Sequence, residues 1–213
     1  MQKLITRTAW IIALLCYVPL CVKSYILWDG GNGAAKLGSL LPSYFIIPVI
    51  TTLFVWITGK LQNKIVIDED GIPALRRVLW LTLALFFAVS LFNVSIEYIP
   101  GRHLPHILIC GIGTFMLLLG ALMPKLQRNR LVGARFSWTL VNREVWRKSN
   151  RIGGVYTMLL GLFLIVSGAL TPARKSVFTT AEIWAIILYI IVLTIHSRLI
   201  AVKIDPPKNE DRF

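Results

Sequence analysis

"GGVYTMLLGLFLIVSGALT", residues 153–171, decides the fold. It runs for nineteen residues without a charged side chain. An α-helix needs roughly 20 apolar residues to cross a hydrocarbon core of ~30 Å. A membrane β-strand would need only ~10, with polarity alternating along it. This stretch is longer and does not alternate, so it reads as a spanning helix. Only helices and closed barrels satisfy their backbone groups in lipid.

Five more apolar blocks lie outward from it, at residues 9–28, 41–59, 78–99, 105–123 and 181–200. Of the 213 residues, 56% are hydrophobic and 15% charged, and the mean hydropathy of +0.69 is far above that of a soluble domain. The expectation is an all-α, polytopic membrane protein of about six transmembrane helices. It divides into a three-span half, 1–100, and a second three-span half, 101–213. The first block contains Pro19 and ends near Lys23, whose long stem is expected to snorkel to the interface. Pro48 in the second is tolerable if neighbours re-satisfy the freed carbonyl. Lys3 and Arg7 ahead of the first block imitate a signal peptide. The apolar run is long, however, and no A-x-A site follows it promptly, so the block is expected to stay as a span.

The cations set the orientation. Eighteen Lys and Arg fall on the N-terminus, the 2–3 loop, the 4–5 loop and the C-terminal end; Lys23, Lys36, Arg102, Arg174 and Lys175 fall on the other side. The positive-inside rule then places both termini in the cytoplasm. The formal charge of +13 is mostly this asymmetry and is no evidence for nucleic-acid binding.

Directly before the deciding stretch stands "RFSWTLVNREVWRKSNR", residues 135–151, with five cations and two tryptophans. Ser137 or Thr139 is a plausible N-cap. On a helix starting there, Arg143, Arg147 and Arg151 share one face and Trp138, Val141 and Val145 the opposite one. Glu144 and Lys148 form an i,i+4 pair in the favourable order. The stretch reads as a short amphipathic helix on the membrane surface with tryptophan at headgroup level. Three roles stay open for it: an anchor of topology-setting charges, a docking face for a cytoplasmic partner, or a cap closing the bundle.

The longer segment "MPKLQRNRLVGARFSWTLVNREVWRKSNRIGG", residues 123–154, resembles the signature of the SdpI family. Pro124, Lys125, Asn129, Gly133, Arg135, Trp138, Thr139, Leu140, Trp146, Arg151, Gly153 and Gly154 match its pattern. Ala121 stands where the family usually has Asn, Phe136 and Ser137 replace Thr-Pro, and Asn150 replaces His. "LWDGGNGAAKLGSLLPSYFIIPV", residues 27–49, is similar to the family's first extracytoplasmic loop and second span, through Trp28, Gly30, Lys36 and Phe45–Pro48. The resemblance implies a multi-pass protein of the bacterial cytoplasmic (inner) membrane that protects its producer from a secreted membrane-targeting toxin. In the family's namesake, toxin recognition is coupled to membrane sequestration of a cytoplasmic repressor. The toxin, a peptide or protein, is expected to meet the outer loops through Trp28, Asp29, Lys36 and Arg102. A transcriptional repressor is expected to dock on the signature loop through Lys125, Asn129, Gly133, Arg135, Trp138, Thr139, Arg143, Trp146, Arg147 and Arg151. Membrane lipids are further partners; direct nucleic-acid contact is not expected. Two other functions fit the apolar composition: a small permease for a peptide or lipid-like substrate, and an envelope protein without a ligand.

No enzymatic site, metal site or cofactor is expected. There is no Gly-rich phosphate loop, nucleophile elbow or carboxylate pair. His103 and His106 sit three apart with only Glu97 as a nearby acid, and read as loop histidines. His196 is expected to hydrogen-bond near the inner end of the last span, and Cys16, Cys21 and Cys110 to be free packing thiols. Intramembrane acids, which a proton-coupled transporter would show, are almost absent; Asn93 is the main polar group in mid-span.

Glycines recur at seven-residue spacing: Gly113 and Gly120 in the fourth block, and Gly154, Gly161 and Gly168 around the fifth. Such spacing makes one helix seam where backbones approach closely. Glycine is also simply more frequent in membrane helices.

Overall fold

The computed structural model describes the backbone of residues 7–28, 33–95, 103–170 and 178–204, and leaves the side chains of 26–45 undescribed. The toxin-facing set Trp28, Asp29, Lys36 and Arg102 therefore lies outside the described residues or side chains. The elements are α1 (Arg7–Leu15), α2 (Val18–Trp28), α3 (Gly33–Ile65), α4 (Ile72–Ser95), α5 (Leu104–Leu122), α6 (Ser137–Val141), α7 (Arg143–Leu170) and α8 (Thr180–Ile204). The described residues hold no strand beyond one isolated bridge pair.

Among the described residues, four segments are long and apolar enough to cross a membrane: Ile72–Asn93, Leu104–Lys125, Arg143–Leu170 and Thr180–Ile204. They coincide with the third to sixth apolar blocks, so the protein is an all-α membrane protein. The first block is broken into α1 and α2, of nine and 11 residues. Pro19 lies at the start of α2 and has no N–H to continue the ladder. At the break, the Cys16 carbonyl accepts a hydrogen bond from Ser90 Oγ at 2.8 Å, which satisfies it without water. Lys23 is buried, at 2% exposure, and does not snorkel as its place near the block's end led us to expect. The second block lies in α3, whose 33 residues extend about 50 Å.

The chain forms two compact units. Unit 1 comprises Met1–Asn63 and Val78–Pro100; unit 2 comprises Lys64–Arg77 and Gly101–Phe213. In unit 1, Ala9, Ala13, Val55 and Leu83 form a buried cluster with Ile12 and Phe54 against it. Phe54 meets Phe86 edge-on at 5.7 Å between centroids, and Tyr17 shares a hydrogen bond of 3.2 Å with Thr52.

In unit 2, α5 and α7 touch backbone to backbone. A Cβ on Gly113 would lie 2.7 Å from the Gly161 carbonyl oxygen, and a Cβ on Gly120 2.7 Å from that of Gly154. A Cβ on Gly168 would meet Ile109 Cγ2 at 2.5 Å. Between α7 and α8 the ties are polar: Thr157 with the Tyr189 hydroxyl at 2.9 Å, and the Tyr156 hydroxyl with His196 Nδ1 at 2.8 Å. Each such bond satisfies groups that water cannot reach in lipid.

A braced loop between two spanning helices

The segment from Met123 to Gly154 joins α5 to α7, and its own side chains hold its backbone in place. The chain leaves α5 through a short turn, Met123–Lys125, and becomes extended at Leu126. The carbonyl of Leu126 accepts the Trp146 indole N–H at 2.8 Å. Trp146 is fully buried, so this bond is shielded from competing water. Asn129, 2% exposed, folds the next turn: its Oδ1 accepts the N–H groups of Leu131 and Val132, both at 2.8 Å. This is an Asx turn, in which a side chain imitates a backbone carbonyl.

Gly133 has φ +118°, a region that L side chains rarely adopt. A Cβ there would also collide with Asn150 Oδ1. That oxygen is already used, because it accepts the Ala134 N–H at 3.1 Å while Asn150 Nδ2 donates to the Trp146 carbonyl at 3.1 Å. Asn150, where the family pattern has His, thus serves a donor and an acceptor at once. Thr139 closes the turn: its hydroxyl donates to the Ala134 carbonyl at 2.6 Å and accepts the Phe136 N–H at 3.0 Å.

The amphipathic surface helix expected over 137–151 does not form as one piece. Asn142 is extended at φ −112°, ψ 127°, and separates the five-residue α6 from α7. Its Oδ1 accepts the Glu144 N–H at 2.8 Å, which makes Asn142 the N-cap. Residues 143–151 are the first turns of the membrane-length helix α7 and form no separate surface helix. Gly153 and Gly154 lie within this unbroken helix, and at Gly154 the α5 backbone leaves no room for a side chain, since a Cβ would lie 2.6 Å from the Gly120 carbonyl oxygen. Val145, Trp146, Ser149 and Asn150 form its buried face; Arg143, Arg147, Lys148 and Arg151 form its exposed one.

A second segment from the same unit clamps the loop. Residues 65–68 pair antiparallel with 128–130: Arg130 N–H donates to the Ile65 carbonyl at 2.8 Å and Ile67 N–H to the Arg128 carbonyl at 3.3 Å. Arg128 donates to Asp68 from Nε at 3.1 Å and from Nη2 at 3.0 Å, a bidentate pair. Its Nη1 donates to the Val141 carbonyl at 3.0 Å. Arg143 adds a contact to Asp70 at 3.4 Å. Hydrogen bonding from Arg128 holds the Asp68 carboxyl below the ordinary carboxylate range, against a smaller opposing effect of burial.

The residues singled out in the sequence separate by exposure. Asn129, Thr139 and Trp146 are buried and offer no surface to a partner. Gly133 shapes the backbone. Trp138 is half-buried: its N–H donates to Ser197 Oγ at 3.3 Å, Phe136 stacks on it at 4.9 Å, and the Arg198 guanidinium lies 5.2 Å from its ring centroid. Lys125, Arg135, Arg143, Arg147 and Arg151 are exposed. Asp68 and Asp70 take Arg128 and Arg143, and Glu144 takes Lys148. Lys125, Arg147 and Arg151 have no ion-pair partner among the described residues.

Sequence reasoning missed two acids. Asp68 gave no local signal, since its partner is 60 residues away. Glu182 did give one. Thr179-Thr180-Ala181-Glu182 is a T-x-x-E capping box, and Glu182 Oε2 accepts the Thr179 N–H at 2.7 Å. Its other oxygen accepts a hydrogen bond from Ser167 on α7 at 2.5 Å, with no exposed surface left.

Spanning helices joined by a self-braced basic loop define a class: polytopic helical membrane proteins whose distinctive chemistry lies in one inter-span segment. Residues 125–200 match the SdpI/YfhL protein family, so the resemblance carried by 123–154 holds. The chain is also similar to "Immunity protein SdpI" of Bacillus subtilis (strain 168), at 25% identity over 190 residues, covering 89% of this chain and 86% of that protein. No solved structure matches the chain.

Proposed function

We propose that this chain is a membrane immunity protein of the bacterial inner membrane, with six spans and both termini in the cytoplasm. The similarity to an immunity protein over 89% of the chain carries this reading. The four membrane-length helices among the described residues support a membrane location. The toxin is a secreted peptide or protein that meets the outer loops, through Trp28, Asp29, Lys36 and Arg102. The signature loop faces the cytoplasm, where the positive-inside rule puts its cations.

Its exposed stripe, Arg147 and Arg151 with Lys125 and Arg135 nearby, is the docking face for a cytoplasmic repressor with an acidic surface. The buried members of the signature keep that face in shape and do not touch the partner. The test is expression in a toxin-sensitive bacterium followed by challenge with secreted toxins of related strains. Survival at matched expression is the expected result. Killing equal to the empty-vector control by every toxin tried, with the protein folded in the membrane, would refute immunity.

A further inference from the structure

Between α7 and α8, inside unit 2, lies an apolar groove of about 250 Å³. Leu159 and Phe163 of α7 form one wall, Ala185 and Leu188 of α8 the other, and the rings of Tyr156 and Tyr189 line it as well. Both phenols are occupied within the protein: Tyr189 shares a hydrogen bond with Thr157 at 2.9 Å, and Tyr156 one with His196 Nδ1 at 2.8 Å. The walls therefore present hydrocarbon. Leu159 is 58% and Leu188 60% exposed, so the groove is open along one side. Its volume is below the ~300–1,000 Å³ of pockets that enclose a drug-sized ligand. Both of its helices are long and apolar enough to span a membrane. A flexible hydrocarbon chain lying along the groove suits that size and that surrounding; a hydrated ligand does not.

The two ends of the groove differ. Tyr189, Val192, His196, Leu199 and Lys203 recur at alternating steps of three and four residues, which keeps them on one face of α8. Toward the end of α8, that face passes from apolar wall to an imidazole and then to a cation. His196 is half-buried, and with Nδ1 on Tyr156 its Nε2 has no hydrogen bond among the described residues. Lys203 is exposed and has no ion-pair partner among the described residues. It stands ~10 Å along the helix from His196. Helical side chains lean toward the N-terminus, so its stem tilts back toward the groove. At the opposite end, residues 164–170 of α7 and 180–184 of α8 hold no cation.

We propose that this groove is a binding site for one anionic phospholipid: an acyl chain lies between α7 and α8, the His196 ring meets the glycerol esters, and Lys203 meets the phosphate. The lipid comes from the leaflet at the Lys203 end. A basic residue near the surface favours an anionic headgroup by ~5-fold. The site makes no use of the signature loop's exposed cations, and it stands independently of the immunity reading.

The test is native mass spectrometry of the full chain in detergent, titrated with dioleoyl phosphatidylglycerol or dioleoyl phosphatidylcholine. The first phosphatidylglycerol is expected to bind ~5-fold more tightly than the first phosphatidylcholine. Lys203→Gln is expected to lose that preference and to bind phosphatidylcholine as wild type does. Arg198→Gln makes the same charge change on the same helix, beside the Trp138 ring, and is expected to keep the preference. Ala185→Trp fills the groove and is expected to lose tight binding of both lipids. Should it not fold, Leu159→Ala with Leu188→Ala, which takes down two exposed walls, replaces it. Soluble glycerol phosphate is expected not to compete. Equal affinities for the two lipids in wild type, or a preference that survives Lys203→Gln, would overturn the site. An equal loss in Arg198→Gln would overturn it in favour of general surface charge, and competition by glycerol phosphate in favour of a phosphate site without a chain. A dimer that Ala185→Trp dissociates, with no lipid retained, would give the groove to a second copy of the chain. Survival under toxin is not read in this experiment, so the lipid site and immunity fail separately.

Discussion

The α5–α7 seam and the signature loop lie side by side in unit 2 and solve opposite problems. The seam brings two backbones together by having no side chains: Gly113 faces Gly161 and Gly120 faces Gly154. The loop holds an irregular backbone apart from any ladder by supplying side chains that imitate one: Asn129, Thr139, Asn150 and Trp146 each bond main-chain groups. A membrane protein can place irregular backbone beside its spans only where such partners satisfy it. Removing a side chain should therefore break the loop, and adding one should break the seam.

Trp146→Ala breaks the comparison on the loop side and is expected to have the largest effect. It empties a fully buried indole site and leaves the Leu126 carbonyl without its donor. Buried Trp→Ala changes cost ~3–5 kcal/mol. The folded fraction in membranes and its heat resistance should fall together; wild-type heat resistance would show that the indole is not the loop's keystone.

On the seam side, Gly161→Leu is expected to cost ~1–3 kcal/mol through overpacking. The atoms that a Cβ would meet, the Gly113 carbonyl oxygen and the Leu117 nitrogen, both at 2.6 Å, are backbone and cannot swing away. Gly111 sharpens the comparison, because it lies on the same helix α5 with nothing within 4 Å of its would-be Cβ. Gly111→Leu should stay within ~0.5 kcal/mol of wild type. Equal losses for the two variants would mean that helix propensity, and not the seam, sets the cost.

These two regions were legible in the sequence to different degrees. Seven-residue glycine spacing is a property of one helix, so the side of α7 that approaches α5 could be read directly. Apolar length gave α4, α5, α7 and α8 for the same reason. The loop's residues could be recognised as a signature, but not their roles. Trp138 and Trp146 look alike in sequence, and only the return of the chain past Leu126 buries one and leaves the other partly open. Asn142 was hidden by an amphipathic pattern that runs through it; the pattern describes α7's faces correctly and its start wrongly. Asp68 could not have been placed from its neighbours at all.

Asp68 also gives the loop a pH dependence that the glycine seam lacks. Its carboxyl titrates lower in the folded chain than the ordinary value of 3.8, because Arg128 favours the ionised form. The folded state then binds fewer protons than the unfolded one, so the contribution is present above the ordinary value and fades as pH falls through the lower folded one. Heat resistance of wild type and Asp68→Asn should differ at pH 6, and the difference should begin to shrink only as pH falls below about 4. A difference that persists undiminished at pH 3 would show that shape, not charge, is what Asp68 contributes.

The smallest effect on stability is expected from the cation stripe, and it separates holding the loop from using it. Arg143 is a poor probe, since it contacts both Asp68 and Asp70, and reversing it would disturb the clamp. Arg147 and Arg151 are exposed and unpaired among the described residues, so Arg147→Glu with Arg151→Glu touches no brace. Exposed changes of this kind usually stay within ~0.5 kcal/mol each. Each basic residue near an anionic leaflet contributes ~1 kcal/mol of surface attraction, so the pair can be felt by a partner or a lipid while the fold is not. The variant should insert at wild-type abundance, keep protection from toxin and lose co-fractionation of the repressor proposed above. Changes at Trp28 or Lys36 should do the reverse. If the stripe variant loses protection at matched abundance while the outer-loop variants keep it, the sides are assigned the wrong way round, and the braced loop itself meets the toxin.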